Sequence, residues 1–233
     1  MIKISILIPA YNEEDTIIYL LKSVQKEIRK IKTVTFEIIV IDDCSKDNTS
    51  KLLKENGNLY NHMITLEKNQ GKGGAILQGL VKAKGEYILF QDADLEYSPK
   101  DYKALIRPIF DFDVDVVMGS RFLAPQFTRV HYFWHKFGNW GLTLIFNILN
   151  NTTFTDIYSC YLIYRKSLVP LEKIKTIGWE QHGEILSLAI KNGKVFFEVP
   201  ITYRGRSYDE GKKIRGFHIF KILYTITMTR FFT

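Results

Sequence analysis

The chain has 233 residues, 46% hydrophobic and 24% charged, an ordinary globular composition that excludes disordered, fibrous and collagen-like classes. Its formal net charge of +7 suits an anionic partner, whether nucleoside diphosphate, lipid phosphate, membrane surface or nucleic acid, without choosing among them. Two cysteines, Cys44 and Cys160, form neither a CxxC pair nor a zinc-type set, and read as reduced thiols of a cytosolic protein.

The N-terminal MIKISILIPAYNEE runs directly into a strand pattern, with no small-residue cleavage site. No apolar run reaches the about 20 residues a bilayer crossing needs, so the chain is expected to be soluble or to lie on a membrane. From residue 3 to about 119, short apolar runs alternate with amphipathic segments. The runs are Ile4–Ile8, Phe36–Ile41, His62–Leu66, Tyr87–Phe90 and Val114–Met118; the segments lie near 13–30, 46–55, 72–84 and 99–110. Strands spaced by helices predict a mostly parallel sheet with crossover helices. Helix starts are marked by Ser98 with Pro99 behind it, and by Ser45 ahead of Asp47 and Thr49.

Beyond residue 120, HYFWHKFGNWGLTLIFNILN predicts an aromatic-rich helix or helix pair, and YSCYLIYR a strand. QHGEILSLAIKNG predicts a helix ending at glycine, KVFFEVPITYRGR a strand interrupted by Pro200, and 214–230 a last amphipathic helix. There is no internal repeat or linker, so one domain is the simplest organisation.

In open sheets of this kind, ligands bind beyond the carboxyl ends of the strands. Polar clusters fall at four such ends: PAYNEE, DDCSKDNT, KNQGKGGA and QDADLE. In the last, Asp92 and Asp94 stand one residue apart, on the same side of an extended chain. Two such carboxylates repel unless a cation sits between them, and oxygen-rich sites suit Mg²⁺ or Mn²⁺. A lone pair of this type is more often a solvated acidic turn, with Asp94 or Glu96 favouring a helix N-terminus.

Other readings fit less well. NQGKGGA lacks the Ser or Thr that a phosphate-loop NTPase needs after its lysine, because Gly73 stands there. The Asp42–Asp43 pair ends the second strand, where a phosphoacceptor receiver domain has its pair at the first. Basic charge with interleaved aromatics comes without a helix-turn-helix, zinc or RNA-binding signature, so no nucleic-acid partner is expected.

PAYNEE, VIDDCSKDNT, NQGKGGA, DADLEYSP and GSR (119–121) occur in an order and at spacings that match one family. The chain resembles the family 2 glycosyltransferases of GT-A fold, most closely the dolichyl-phosphate mannose synthase branch and its bacterial polyprenyl-phosphate relatives. The resemblance extends to TDIYSCYLIYR (155–165) and EVPITYRGRSYDEGKKI (198–214), and so covers essentially the whole chain. It implies a single α/β domain with a Rossmann-like, mostly parallel sheet and flanking helices over residues 1–233. Residues 1–119 would form the nucleotide-sugar-binding half, and 120–233 the acceptor-side half with its C-terminal amphipathic helix.

Residue by residue, the resemblance implies that Pro9, Tyr11 and Glu13 line the base and ribose pocket, completed by Ile41 and Asp43. Asp92 and Asp94, with Ala93 between them and Glu96 alongside, would hold Mg²⁺ or Mn²⁺ against the donor diphosphate. Glu96 is a departure, since the mannose synthase branch usually has Gln there, and its extra charge bears on metal and sugar preference. Arg121 would reach phosphate or the acceptor end, while Arg206 and Lys212 neutralise phosphates. Asp156 matches a carboxylate near acceptor or sugar, able to act as base, to orient hydroxyls or merely to cap a loop. Glu180, in GWEQ, is a weaker candidate for the same role and reads more readily as structural. The implied catalytic set is Asp94, Arg121 and Asp156.

The activity implied is inverting, metal-dependent transfer of a hexose from a nucleotide sugar (GDP-mannose or a UDP-hexose) to a polyprenyl or dolichyl phosphate. The alternatives are a hydroxyl acceptor on a glycan or cell-surface polysaccharide, and a non-catalytic sugar-nucleotide-binding protein. The expected location is cytoplasmic, peripheral on the cytoplasmic face of a membrane, with room for a separate membrane-anchoring subunit. KKIRGFHIFKILYTITMTRFF would either lie in the membrane interface or pack on the domain core.

Overall fold

Central strands of a sheet covered on both faces need apolar side chains in unbroken runs rather than alternation. Ile6, Leu7 and Ile8 are consecutive and fully buried, which places their strand at the centre. The computed structural model describes residues 1–123, 133–205 and 218–232, without the side chains of His135 and His218. Its strands are β1 (Ile2–Ala10), β2 (Val34–Asp42), β3 (His62–Thr65), β4 (Tyr87–Phe90), β5 (Val116–Ser120), β6 (Leu162–Arg165) and β7 (Phe196–Pro200). They form one sheet in the order β3-β2-β1-β4-β6-β5-β7.

The sheet is parallel except for β6, which runs antiparallel to both β4 and β5. Its direction could not be read from the residues, because Leu162, Ile163 and Tyr164 are all buried and fit either orientation. The strand expected over YSCYLIYR is confined to its second half, leaving 155–161 as an irregular segment over the sheet's end.

The helices are α1 (Ile17–Ile28), α2 (Thr49–Glu55), α3 (Gly71–Lys82), α4 (Tyr102–Phe112), α5 (Phe133–Asn150), α6 (Gln181–Asn192) and α7 (His218–Phe232). Helix α3 packs on β1 and β2, where Gly79 allows the close approach; a Cβ there would stand 2.9 Å from Ile41 Cδ1. Ser98 accepts from the Lys100 N–H, as a cap before Pro99 should, and α4 follows a single 3-10 turn. Helix α2 starts at Thr49 instead of beside Ser45, since Asp47 accepts from the Thr49 N–H and Ser45 is drawn to Asn12. The aromatic segment forms the single helix α5.

Helix α7 packs on α5 and α6, burying Ile222, Thr225, Ile226 and Thr229. Its other side exposes Phe220, Tyr224, Phe231 and Phe232 beside Lys221, so large apolar residues are not confined to the packed face as an amphipathic helix would have them. Among the described residues, no helix is long and apolar enough to cross a membrane.

Candidate active site

The site forms where the carboxyl ends of β1, β2, β4 and β5 meet the 155–161 segment and the first turn of α6. The first two loops are joined by their own polar groups. Asn12, in the left-handed region at φ 55°, donates its N–H to Ser45 Oγ (3.0 Å) and accepts from the Lys46 N–H (2.8 Å). The Glu13 N–H donates to Thr49 Oγ1, and Glu14 accepts from Asn48. Pro9, Tyr11 and Glu13 are half-buried along this rim, with the Glu13 carboxylate accepting from the Thr16 hydroxyl at the start of α1. Ile41 does not reach the rim; it is fully buried over Gly79 and underlies the loops. Asp43 accepts from the Gln70 N–H (2.7 Å), and burial, opposed by the Gln70 and Gly71 N–H groups, pushes its carboxyl up.

The acidic loop after β4 is held from beneath by Gln91. This fully buried amide accepts from the hydroxyls of Tyr102 and Tyr161, each at 2.8 Å, and donates to the carbonyls of Asp92 and Tyr97. The clamp fixes a loop in which Leu95 takes φ 62°, a costly conformation for a bulky residue. Ala93 is buried between the aspartates. Asp92 forms an ion pair with the Lys72 ammonium from α3, and Asp94 accepts from the Glu96 N–H. Burial lowers the affinity of Lys72 for its proton, but the Asp92 charge and those near it outweigh this and hold the lysine charged. Cys160 lies against the same pair, its thiol pushed well up by burial and by Asp92.

Glu96 faces elsewhere. Its carboxylate accepts from the Tyr203 hydroxyl (3.0 Å) and its carbonyl from the Arg204 N–H, stitching the loop to the segment after β7. Among the described residues, no three His, Cys, Asp or Glu side chains converge as a metal cage. The expected three-carboxylate set of Asp92, Asp94 and Glu96 therefore does not assemble. What remains still suits a hard cation. Mg²⁺ and Mn²⁺ take one or two carboxylates and fill the rest with waters and substrate phosphates, and Asp92 already attracts the Lys72 ammonium as a stand-in cation.

Arg121 and Asp156 form the second ion pair, across 35 residues of sequence. The guanidinium grips both carboxylate oxygens (Nε to Oδ2 2.6 Å, Nη2 to Oδ1 2.8 Å), and the Arg121 and Tyr158 N–H groups add two more bonds. Burial pushes the Asp156 carboxyl up, yet the Arg121 charge outweighs it and holds the group below its ordinary range. Arg121 also lies over the Tyr203 ring, 5.2 Å from its centroid. The Asp156 turn is anchored in turn by Glu198, which accepts from the Thr155 and Asp156 N–H groups. Glu180 is structural, paired at 2.8 Å with Lys221 of α7. Arg206 and Lys212 lie outside the described residues.

Sequence reasoning missed Lys72, Cys160 and His182 as members of this cluster. In the sequence Lys72 reads only as the lysine of an incomplete phosphate loop, and no local pattern links it to a strand tip 20 residues on. A groove of about 600 Å³ lies at the opposite end of β4, lined by Arg165 and Lys166. Glu86, Asp113 and Asp115 already hold the Arg165 guanidinium there.

An open, mostly parallel sheet flanked by helices is the fold of the GT-A glycosyltransferases. Glucosyl-3-phosphoglycerate synthase from Mycobacterium tuberculosis, solved with Mn²⁺, UDP and phosphoglyceric acid, shares the fold at a TM-score of 0.68 and 19% identity, over 100% of this chain and 80% of that one. The model of glycosyl transferase family 2 matches residues 5–170, and the chain belongs to that family. The UDP-N-acetylglucosamine–dolichyl-phosphate N-acetylglucosaminyltransferase of Methanococcus voltae is 32% identical over 250 residues, covering 97% of this chain and 96% of that protein. The dolichol-phosphate mannosyltransferase of Pyrococcus furiosus is 29% identical over 230 residues, covering 95% of this chain and 64% of that protein. The chain is a glycosyltransferase.

Proposed function

We propose that the chain transfers a hexose from a nucleoside diphosphate sugar to a polyprenyl phosphate, inverting the anomeric centre at a membrane surface. One observation carries the choice of acceptor: Asp156, the carboxylate expected to act as base, is tied up in an ion pair, and so is the weaker candidate Glu180. Asp156 is gripped by Arg121 and Glu180 by Lys221, and each is held below its ordinary range against the opposing effect of burial. A hydroxyl acceptor needs a base to take its proton, whereas a lipid phosphate is already an anion and needs only cationic guidance. The relatives named for dolichyl-phosphate acceptors support the same choice.

In this reading, Pro9, Tyr11, Glu13 and Asp43 hold base and ribose, with Ile41 supporting them from the core. Asp92 and Asp94 hold the Mg²⁺ or Mn²⁺ that supplies positive charge to the departing diphosphate. Lys72 and Arg121 add fixed positive charge at the place where negative charge develops. Arg206 and Lys212 are assigned the same task. Asp156 orients Arg121 rather than taking a proton. Attack by the acceptor phosphate from the face opposite the diphosphate inverts the sugar.

The membrane contact in this proposal is wider than the C-terminal segment. Helices α5 and α7 pack together, and each turns an aromatic stripe outward, with Phe133, Trp134 and Trp140 on α5 and Phe220 and Tyr224 on α7. Lys136 and Arg230 on the same helices suit anionic headgroups. The test is transfer of radiolabelled sugar from UDP-N-acetylglucosamine or GDP-mannose to dolichyl phosphate in anionic vesicles. Lipid-linked product that disappears in Asp94→Ala is expected. Product formed only on hydroxyl acceptors would overturn the acceptor, and equal sedimentation of wild type and Trp134→Ser/Phe220→Ser with the vesicles would overturn the membrane face.

A further inference from the structure

A buried nitrogen or oxygen without a hydrogen-bond partner costs free energy, and its persistence calls for a ligand, a water or a reason. Five side-chain atoms among the described residues are in this position: Asp42 Oδ2, Asn150 Oδ1, Tyr164 Oη, His182 Nε2 and Ser187 Oγ. Of these, His182 belongs to the cleft. It sits in the first turn of α6, its ring 6.2 Å from Phe90, the residue two before Asp92, and 5.5 Å from Tyr158, two after Asp156. The charges it senses are those of Lys72, Asp92, Asp156 and Arg121, the four members of the two ion pairs. The residue as a whole is partly exposed, while its Nε2 is buried and has no hydrogen-bond partner among the described residues.

Burial, with Lys72 next in importance, pushes the imidazole down to about 4, so it is neutral throughout the working range of an enzyme. A neutral imidazole is a weak base at that value and carries no charge for a phosphate. It is instead a directional partner for one neutral hydroxyl, as donor or acceptor according to its tautomer. The diphosphate end of the cleft has its own groups in Asp92, Asp94 and Lys72. His182, which senses the charges of both ion pairs, is left for what hangs beyond the diphosphate.

We propose that His182 Nε2 hydrogen-bonds a hydroxyl of the hexose being transferred, so that this side chain recognises the sugar while the carboxylate corner recognises the diphosphate. The inference rests on the donor assignment above, and the experiment separates the two. Calorimetric titration compares UDP-N-acetylglucosamine with UDP, and GDP-mannose with GDP, on wild type, His182→Leu and His182→Gln. His182→Leu should weaken the better-bound nucleotide sugar about 10-fold, the worth of one neutral hydrogen bond, and leave the sugar-free nucleotide unchanged. His182→Gln, whose amide can reach the Nε2 position, should restore most of that affinity. His182→Leu should also melt at or above the wild-type temperature, because it removes an unpaired buried polar atom. Equal weakening of sugar and sugar-free nucleotides, no weakening at all, or a lowered melting temperature without rescue by glutamine would overturn the assignment. A wild-type chain that binds neither nucleotide pair would overturn the donor reading, and this inference with it.

Discussion

Replacing Asp156 by asparagine should destabilise the protein before it does anything else. The Asp156 side chain is fully buried and that of Arg121 is 10% exposed, so the regime is that of a buried ion pair and not the weak surface kind. Asparagine keeps the shape but leaves a guanidinium in the interior without its counter-charge, which costs about 3–5 kcal/mol. For a domain of this size each kcal/mol is worth about 2–4 °C, so Tm should fall by about 6–20 °C. Urea unfolding of wild type, Arg121→Met, Asp156→Asn and the double variant measures the coupling directly, and about 2–3 kcal/mol is expected between the two sites. A loss under about 1 kcal/mol for Asp156→Asn would refute the buried-pair account. So would a normal Tm accompanied by lost kcat and lost pH dependence, because that is how a general base behaves.

Acid should act on the same pair with a definite sign. Because the folded Asp156 carboxyl is held below its ordinary value, the unfolded chain takes up that proton first as pH falls. The pair's contribution should therefore be complete above the ordinary carboxylate range and be lost progressively as pH falls through the depressed folded value. The gap between wild type and Asp156→Asn in urea melts should narrow steadily as the pH is taken below about 4. Gln91→Leu should cost about 2–5 kcal/mol, since it strands the hydroxyls of Tyr102 and Tyr161, and should weaken nucleotide-diphosphate binding by releasing the acidic loop; calorimetry at matched folded fraction checks both. Lys72→Met should raise the affinity of the donor-free protein for Mn²⁺, read by electron paramagnetic resonance, because Asp92 loses its competing ammonium. Unchanged Mn²⁺ binding would contradict the stand-in reading. Gly73→Ala should destabilise by about 1–3 kcal/mol, as its Cβ would sit 2.3 Å from the Ile177 carbonyl oxygen. Gly141→Ala, in the interior of α5 with nothing within 4 Å, should stabilise by up to about 1 kcal/mol. Thermal melts showing the reverse order would count against the packing described.

The sheet and the location of the site were legible because both depend on local pattern. Unbroken apolar runs such as Tyr87–Phe90 become central strands, and the polar residues that end them fall on one edge by topology alone. Partnership between distant residues was not legible. Arg121 and Asp156 could each be singled out, but nothing in either neighbourhood says that they grip one another and so remove Asp156 as a base. Glu96 is a third metal ligand only by the family resemblance, and its partner Tyr203 stands 107 residues away. The direction of β6 was hidden because its residues are buried whichever way it runs. His182 gave no signal at all: one histidine in QHGEILSLAIKNG matches any polar residue of a helix start, and only the packing of Phe90 and Tyr158 around it gives it a place in the cleft.

The most direct test is diffraction at the manganese absorption edge from crystals grown with Mn²⁺ and the nucleotide sugar that binds best. An anomalous peak within about 2.2 Å of carboxylate oxygens of Asp92 and Asp94, with diphosphate oxygens completing its shell, is the predicted result. Ordered nucleotide with no peak there, or a peak held by other side chains, would contradict the account at its centre.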